Sequence, residues 1–211
     1  MKAVLISIQP KWCELIANGK KTVEVRKIKP RLKTPFKVYI YCTKGRGDCL
    51  WRWGGIWYDT QDPNHRPNRL DGKVIGEFVC NEIEELRYDA LEMTYMARKY
   101  RDINLLNEEF FKGTQVTYQE AYDYCEGMTF DEEDTDYFYG WHISDLVIYD
   151  KPRELSEFYY PPEKYCEKDL CGLCPKYEVP SYEYGEVDFD CEWKKPIERP
   201  PQSWMYVEVQ R

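Results

Sequence analysis

The chain has 211 residues and a net charge of −8, with 43% hydrophobic and 16% aromatic residues. That is enough apolar material for one ordinary domain with insertions or a small appendage, which excludes global disorder. No run approaches the roughly 20 apolar residues of a membrane span, and the opening Met-Lys-Ala-Val-Leu-Ile-Ser-Ile is too short for a secretory h-region, so a soluble cytoplasmic protein without a membrane partner is expected.

After this strand-like opening, Pro10 suits the first turn of a helix and Gly19 the left-handed residue just past its end. Trp12, Leu15 and Ile16 fall three and four apart as an apolar stripe, while Lys11, Glu14 and Asn18 face water. Beyond Gly19 the period changes to two. Val23 and Val25 are apolar, whereas Thr22, Glu24 and Arg26 project from the other face of a strand, with Lys20 and Lys21 on the preceding turn. This makes a ledge suited to an anion.

Residues 1–54 hold nine Lys and four Arg against Glu14, Glu24 and Asp48, a net +10 that leaves −18 for residues 55–211. The basic part is a candidate nucleic-acid contact region, with Lys20, Lys21, Arg26, Lys27, Lys44 and Arg46 at its centre; the alternative is a set of solvated charges neutralised by the acidic half. Residues 35–42 read as a further strand with Phe36, Val38 and Ile40 on one face and Lys37, Tyr39 and Tyr41 on the other. Tyr41 is either a base-stacking platform or ordinary packing across a barrel seam. Residues 43–69 read as a loop with an aromatic tip, where Trp51, Trp53 and Trp57 stand among basic residues.

Residues 72–80 form the next expected strand, with Glu77 amid apolar neighbours, either satisfied or raised in pKa for acid/base work. From Glu82 to Asn107 the apolar spacing reads as helical, an insertion beyond a minimal barrel. Thr117 to Glu126 reads as a second helix opened by a Thr-x-x-Glu capping box from Thr117 to Glu120. Residues 140–149 return to strand character and contain His142, expected to be a hydrogen-bonded structural residue. Lys151-Pro152 ends that strand, a short helical turn follows around Leu155, and residues 203–209 add a closing strand.

Between these last elements, Cys166, Cys171, Cys174 and Cys191 are spaced C-x4-C-x2-C-x16-C in a loop-rich segment. Four thiolates with a C-x2-C knuckle suit a structural Zn²⁺; disulfides fit less well, because no export signal is visible and the chain has nine cysteines, an odd number.

Ser-Ile-Gln-Pro, the short helix and Asn-Gly-Lys-Lys-Thr-Val-Glu-Val-Arg-Lys together resemble the opening of ASCH proteins in the PUA-like superfamily. Pro-Phe-Lys-Val-Tyr-Ile-Tyr-Cys-Thr-Lys-Gly from Pro35, Gly-Lys-Val-Ile-Gly-Glu-Phe-Val-Cys from Gly72 and the stretch around Trp-His-Ile-Ser-Asp-Leu from Trp141 are similar to the same family, especially its phage- and prophage-type members. The resemblance covers about half the chain. It implies an α+β fold, a PUA-like small mixed β-barrel with flanking helices. Residues 1–150 would form this barrel, with insertions at about 45–70 and 85–136. Residues 151–202 would be a Cys-rich extension and 203–211 the barrel's closing strand.

It also implies RNA or nucleotide as the partner. In the leading reading Lys21 and Arg26 contact phosphate, Tyr41 or a loop Trp stacks on a base, and Glu24 accepts from a base edge or orients Lys21. Some family members are amidohydrolases that remove acetyl from N4-acetylcytidine with a Lys, a Thr nucleophile and a Glu. The lysine falls on Lys21, but Glu24 stands where the nucleophilic threonine would be. Glu24 would then serve as a base for water beside Lys21, with Glu126, or alternatively Glu77, in the place of the family glutamate. A third alternative is a protein-interaction module, in which the acidic, tyrosine-rich remainder docks a basic partner.

Overall fold

A computed structural model describes residues 2–44, 49–53, 56–60, 70–89, 94–97, 111–117, 120, 124, 137–161 and 195–208. The fold is α+β. Strand β1 (Lys2–Ile8) leads into helix α1 (Pro10–Ala17), followed by β2 (Val23–Arg26) and β3 (Phe36–Cys42). Strands β4 (Cys49–Trp53) and β5 (Ile56–Thr60) pair as an antiparallel hairpin beside α1. Next come β6 (Lys73–Asp89), β7 (Thr94–Ala97), β8 (Tyr137–Arg153), a single 3₁₀ turn (Leu155–Glu157) and β9 (Trp204–Glu208).

The main sheet is mixed, in the order β2-β8-β6-β3-β1-β9 with β7 alongside β6. Among the described residues its one parallel pair is β1 with β3, where Val4 stands opposite Val38 and Ile8 opposite Cys42. Among those residues, too, no ladder joins β2 to β9. The seam between them is crossed instead by Arg26 donating to the Ser7 carbonyl at 2.7 Å, Trp204 Nε1 donating to the Ile28 carbonyl at 3.0 Å, and the Arg31 N–H donating to Tyr206 OH at 2.7 Å.

Both faces of the sheet are covered. One carries a core of Val4, Ile6, Val38, Ile40, Phe78 and Trp141 with α1 packed on it through Cys13 and Ile16. The other gathers Leu5, Tyr39, Tyr41, Val74, Phe158 and Val207. The two-period pattern of β3 therefore separates two cores. Tyr41 is 4% exposed and packs in the second, so its ring is a core element and offers no stacking face to solvent.

Three sequence expectations are corrected. Residues 82–89 and 94–97 are strand, where a helix was expected, because β8 presents a long antiparallel partner and the completed ladder outweighs a weak helical periodicity. Residues 49–53 and 56–60, expected as loop, pair as a hairpin; the sequence between them, Gly-Gly, is of the kind that favours a two-residue connection. Strand β8 runs on through Pro152, which falls in the irregular stretch between the Ile148–Gly76 and Arg153–Val74 pairs, where its missing N–H breaks no regular ladder.

The Thr117–Glu120 capping box is made in both directions. Thr117 N–H donates to Glu120 Oε2 at 2.9 Å, and Glu120 N–H donates to Thr117 Oγ1 at 3.2 Å. Cys166, Cys171, Cys174, Cys191, Glu126 and Arg46 lie outside the described residues. Among the described residues, no group of three or more His, Cys, Asp or Glu side chains is placed to hold a metal ion, and no helix is long and apolar enough to cross a membrane.

Candidate functional site

The site begins with the end of α1. Gly19, at φ 70°, turns the chain so that the Lys20 and Lys21 N–H groups both donate to the Leu15 carbonyl, at 2.8 and 3.0 Å. This leaves Lys20 exposed and turns Lys21 inward, with 2% of its surface accessible. The Lys21 ammonium donates to the Thr114 carbonyl at 2.7 Å and lies 5.0 Å from the centre of the Trp12 ring. The expected open ledge is therefore an enclosed cluster.

Strand β2 then pairs antiparallel with β8, which sets Glu24 opposite Trp141 on the face of the first core. Glu24 is 5% exposed. Its Oε1 is 2.9 Å from Arg26 Nη2 and its Oε2 is 3.4 Å from Lys21 Nζ. The same Arg26 Nη2 donates to the Ser7 carbonyl at 2.7 Å, while Nη1 lies 3.5 Å from Ser203 Oγ. Ser7 Oγ in turn donates to the Pro201 carbonyl at 2.7 Å. One carboxylate thus sits between two cations, beneath the helix and beside the β2–β9 seam.

Burial drives the Lys21 pKa below the ordinary lysine value, and the Glu24 carboxylate opposes that shift by favouring the ammonium. Neighbouring Cys13, wholly buried, is pushed well above the usual thiol value by desolvation, by Cys42 and by the nearby Glu24 charge, so it remains a protonated packing residue. Two donors here are buried without a hydrogen-bond partner, Arg26 Nε and Trp141 Nε1, and Glu24 Oε2 is met only by the Lys21 ammonium at 3.4 Å. Buried polar atoms are nearly always satisfied in native proteins, so two open donors beside a loosely held carboxylate oxygen mark the place.

Lys27 is half-buried with its ammonium 4.8 Å from the centre of the Tyr124 ring, and Lys44 is exposed just past β3. Glu77 is on the opposite face of the sheet. Burial alone would raise its pKa, but hydrogen bonds from Lys37 Nζ at 2.7 Å and Tyr149 OH at 2.6 Å outweigh that and hold it below the usual carboxylate value. The raised pKa considered for acid/base work is thereby overturned. His142 Nε2 lies 3.4 Å from Glu84 Oε2 and makes no hydrogen bond.

Several cations of the basic N-terminal part are met by acids from the other half of the chain: Lys11 by Glu120, Lys29 by Glu85 and Lys37 by Glu77. For these residues the neutralised-surface alternative holds. Sequence reasoning missed Ser7, Trp141, Ser203 and the 111–117 turn as members of the site. Ser7 lies within the ASCH-like opening motif, whereas nothing local marks the Gly113 and Thr114 carbonyls.

No family model matches the chain, and no curated protein matches it. Among solved structures, the likeness is to an ASCH protein. ASCH from Zymomonas mobilis is 17% identical, with 98% of this chain and 87% of that one covered and a TM-score of 0.49. A tyrosine-to-phenylalanine mutant of that protein is 18% identical, with coverages of 99% and 91% and a TM-score of 0.48. A serine-to-alanine mutant of it is 17% identical, with coverages of 98% and 88% and a TM-score of 0.47. A likeness of this degree carries no argument about activity.

Proposed function

We propose that this protein is an ASCH-like nucleotide- or RNA-binding module whose ligand engages the Lys21–Glu24–Arg26 cluster. The observation that carries the proposal is the enclosed carboxylate whose Oε2 is met only by a long 3.4 Å contact from Lys21, set beside a guanidinium Nε without a hydrogen-bond partner. An exocyclic amino group on a base edge is the kind of donor such an oxygen accepts, and carboxylates read bases in this way. Lys21 orients Glu24 from within. Exposed Lys20 supplies a phosphate contact from the rim.

Fluorescence anisotropy with short single-stranded RNA at low and moderate salt tests this. Binding should weaken with salt, and Lys20→Ala should flatten the slope of log K against log salt by about 0.7, the value for one phosphate contact on a single strand. Glu24→Gln should weaken binding about tenfold, on the order expected for a hydrogen bond to a charged group. Absence of binding at either salt, or equal binding by both variants, would overturn the reading.

A second reading is favoured by one specific feature. A desolvated lysine with a lowered pKa, 3.4 Å from a carboxylate, is also a constellation suited to hydrolysis, with Glu24 as base for water and Lys21 stabilising an oxyanion. Release of acetate from N4-acetylcytidine that disappears in Glu24→Gln would select hydrolysis over binding alone.

A further inference from the structure

The segment at residues 111–117, helical over 111–114, is remote from β2 in sequence, yet this turn of helix lies directly on Lys21. The Gly113 carbonyl accepts from the Thr22 N–H at 2.8 Å, and the Thr114 carbonyl accepts from Lys21 Nζ at 2.7 Å. Thr114 itself is fully buried. Further along the same segment, Glu120 pairs with Lys11, and the ring of Tyr124 receives Lys27. All of these contacts fall on the α1–β2 unit.

The fit depends on local backbone chemistry. A Cβ on Gly113 would stand 3.2 Å from Val23 Cγ2 and 3.3 Å from Thr22 Oγ1, closer than side chains ordinarily approach. Gln115 closes the turn at φ 57°, a left-handed conformation that a residue with a side chain holds only when its surroundings enforce it, and its N–H donates to the Phe111 carbonyl at 2.9 Å.

We infer that this turn is a working part of the site: a positioning element whose Thr114 carbonyl aims the Lys21 ammonium at Glu24, and whose Gly113 permits that approach. The inference rests on the reading of Lys21 and Glu24 as a ligand site. A carbonyl that accepts one of the three ammonium protons fixes the rotation of the group and leaves the others for the carboxylate and the ligand. The turn also removes water from Lys21, so the charge of the ammonium depends on an element outside β2.

The test uses the full chain with Gly113→Val, isotope-labelled lysines followed by NMR across an alkaline titration, and Lys21→Met to assign the Lys21 resonance. Loosening the turn should move the Lys21 pKa upward toward the ordinary lysine value and weaken RNA binding about tenfold, the loss of one well-placed charged contact. A variant that unfolds more readily while Lys21 titrates as in the parent would reduce the turn to packing and overturn the inference. Gly113→Ala decides by the same criteria if the valine variant does not fold. Should the parent bind no RNA, the functional reading falls, and the Lys21 titration still decides the role of the turn.

Discussion

The two faces of the sheet each hold a lysine–glutamate pair, and the pairs are built differently. On one face, Glu77 accepts from Lys37 and Tyr149, and the lysine side chain keeps 34% of its surface accessible. On the other, Glu24 is enclosed with Lys21 and Arg26, yet its Oε2 has only the long contact with Lys21 and Arg26 Nε makes no hydrogen bond. The first arrangement is complete within the chain. The second encloses charge and leaves hydrogen-bonding capacity unused, which is costly unless something else uses it. Charge alone therefore does not distinguish the two pairs; polar groups left open under cover do.

The strongest way to break this contrast is to remove each carboxylate in turn. Glu24→Leu strands the buried Lys21 and removes the carboxylate partner of Arg26, and should lower the unfolding free energy by about 3–5 kcal/mol, read from urea denaturation. Glu77→Leu should cost about 1–2 kcal/mol, because Lys37 can turn to water and the main loss is the partner of Tyr149. Equal losses would erase the distinction.

Alkaline pH should sharpen the comparison by sign. The hydrogen bond from Lys37 to Glu77 raises the Lys37 pKa, so its contribution is fully present below the unfolded value near ~10.4 and is lost as pH rises through the folded pKa. Burial lowers that of Lys21, so its penalty is relieved as pH rises from the folded value toward about 10.4. Unfolding between about pH 8 and 11 should accordingly show Lys37→Met losing a decline in stability and Lys21→Met losing a gain. Parallel profiles for the two variants would contradict the assignment.

The smallest effect belongs to the capping box. Thr117→Ala should cost about 0.5–1 kcal/mol, seen as a modest drop in Tm. It should leave the NMR signals of Lys37 undisturbed, because Thr114, Glu120 and Tyr124 all reach the α1–β2 unit on the other face. A matching disturbance at Lys37 would show that the two faces are coupled.

Much of the scaffold around the site was legible in sequence. Pro10 and Gly19 bracket α1 closely, the apolar opening run locates β1, the two-period runs locate β2, β3 and β9, and the capping box was found from Thr117 and Glu120 alone. Those features are local, and their causes lie within a few residues. The burial of Lys21 and Glu24 was not legible, because a polar row beside a turn reads as solvent-facing unless the chain that covers it is known. The covering residue of Lys21, Thr114, comes from a distant segment, as does Trp141, which stands opposite Glu24. The strand at 82–89 failed for a related reason: its partner is β8, and periodicity within a window carries no information about a ladder formed so far along the chain.

The closure of the β2–β9 seam also orders events in time. Arg26 reaches Ser203 across 177 positions, and the Ser7 N–H donates to the Ser203 carbonyl at 2.8 Å. At roughly 5–20 residues per second of synthesis, Arg26 precedes Ser203 by on the order of ten to thirty seconds. Until then Arg26 lacks its Ser203 neighbour, whereas Thr114, which accepts from Lys21, is already made. Closure of the seam thus waits on a residue far along the chain, while the cover over Lys21 does not.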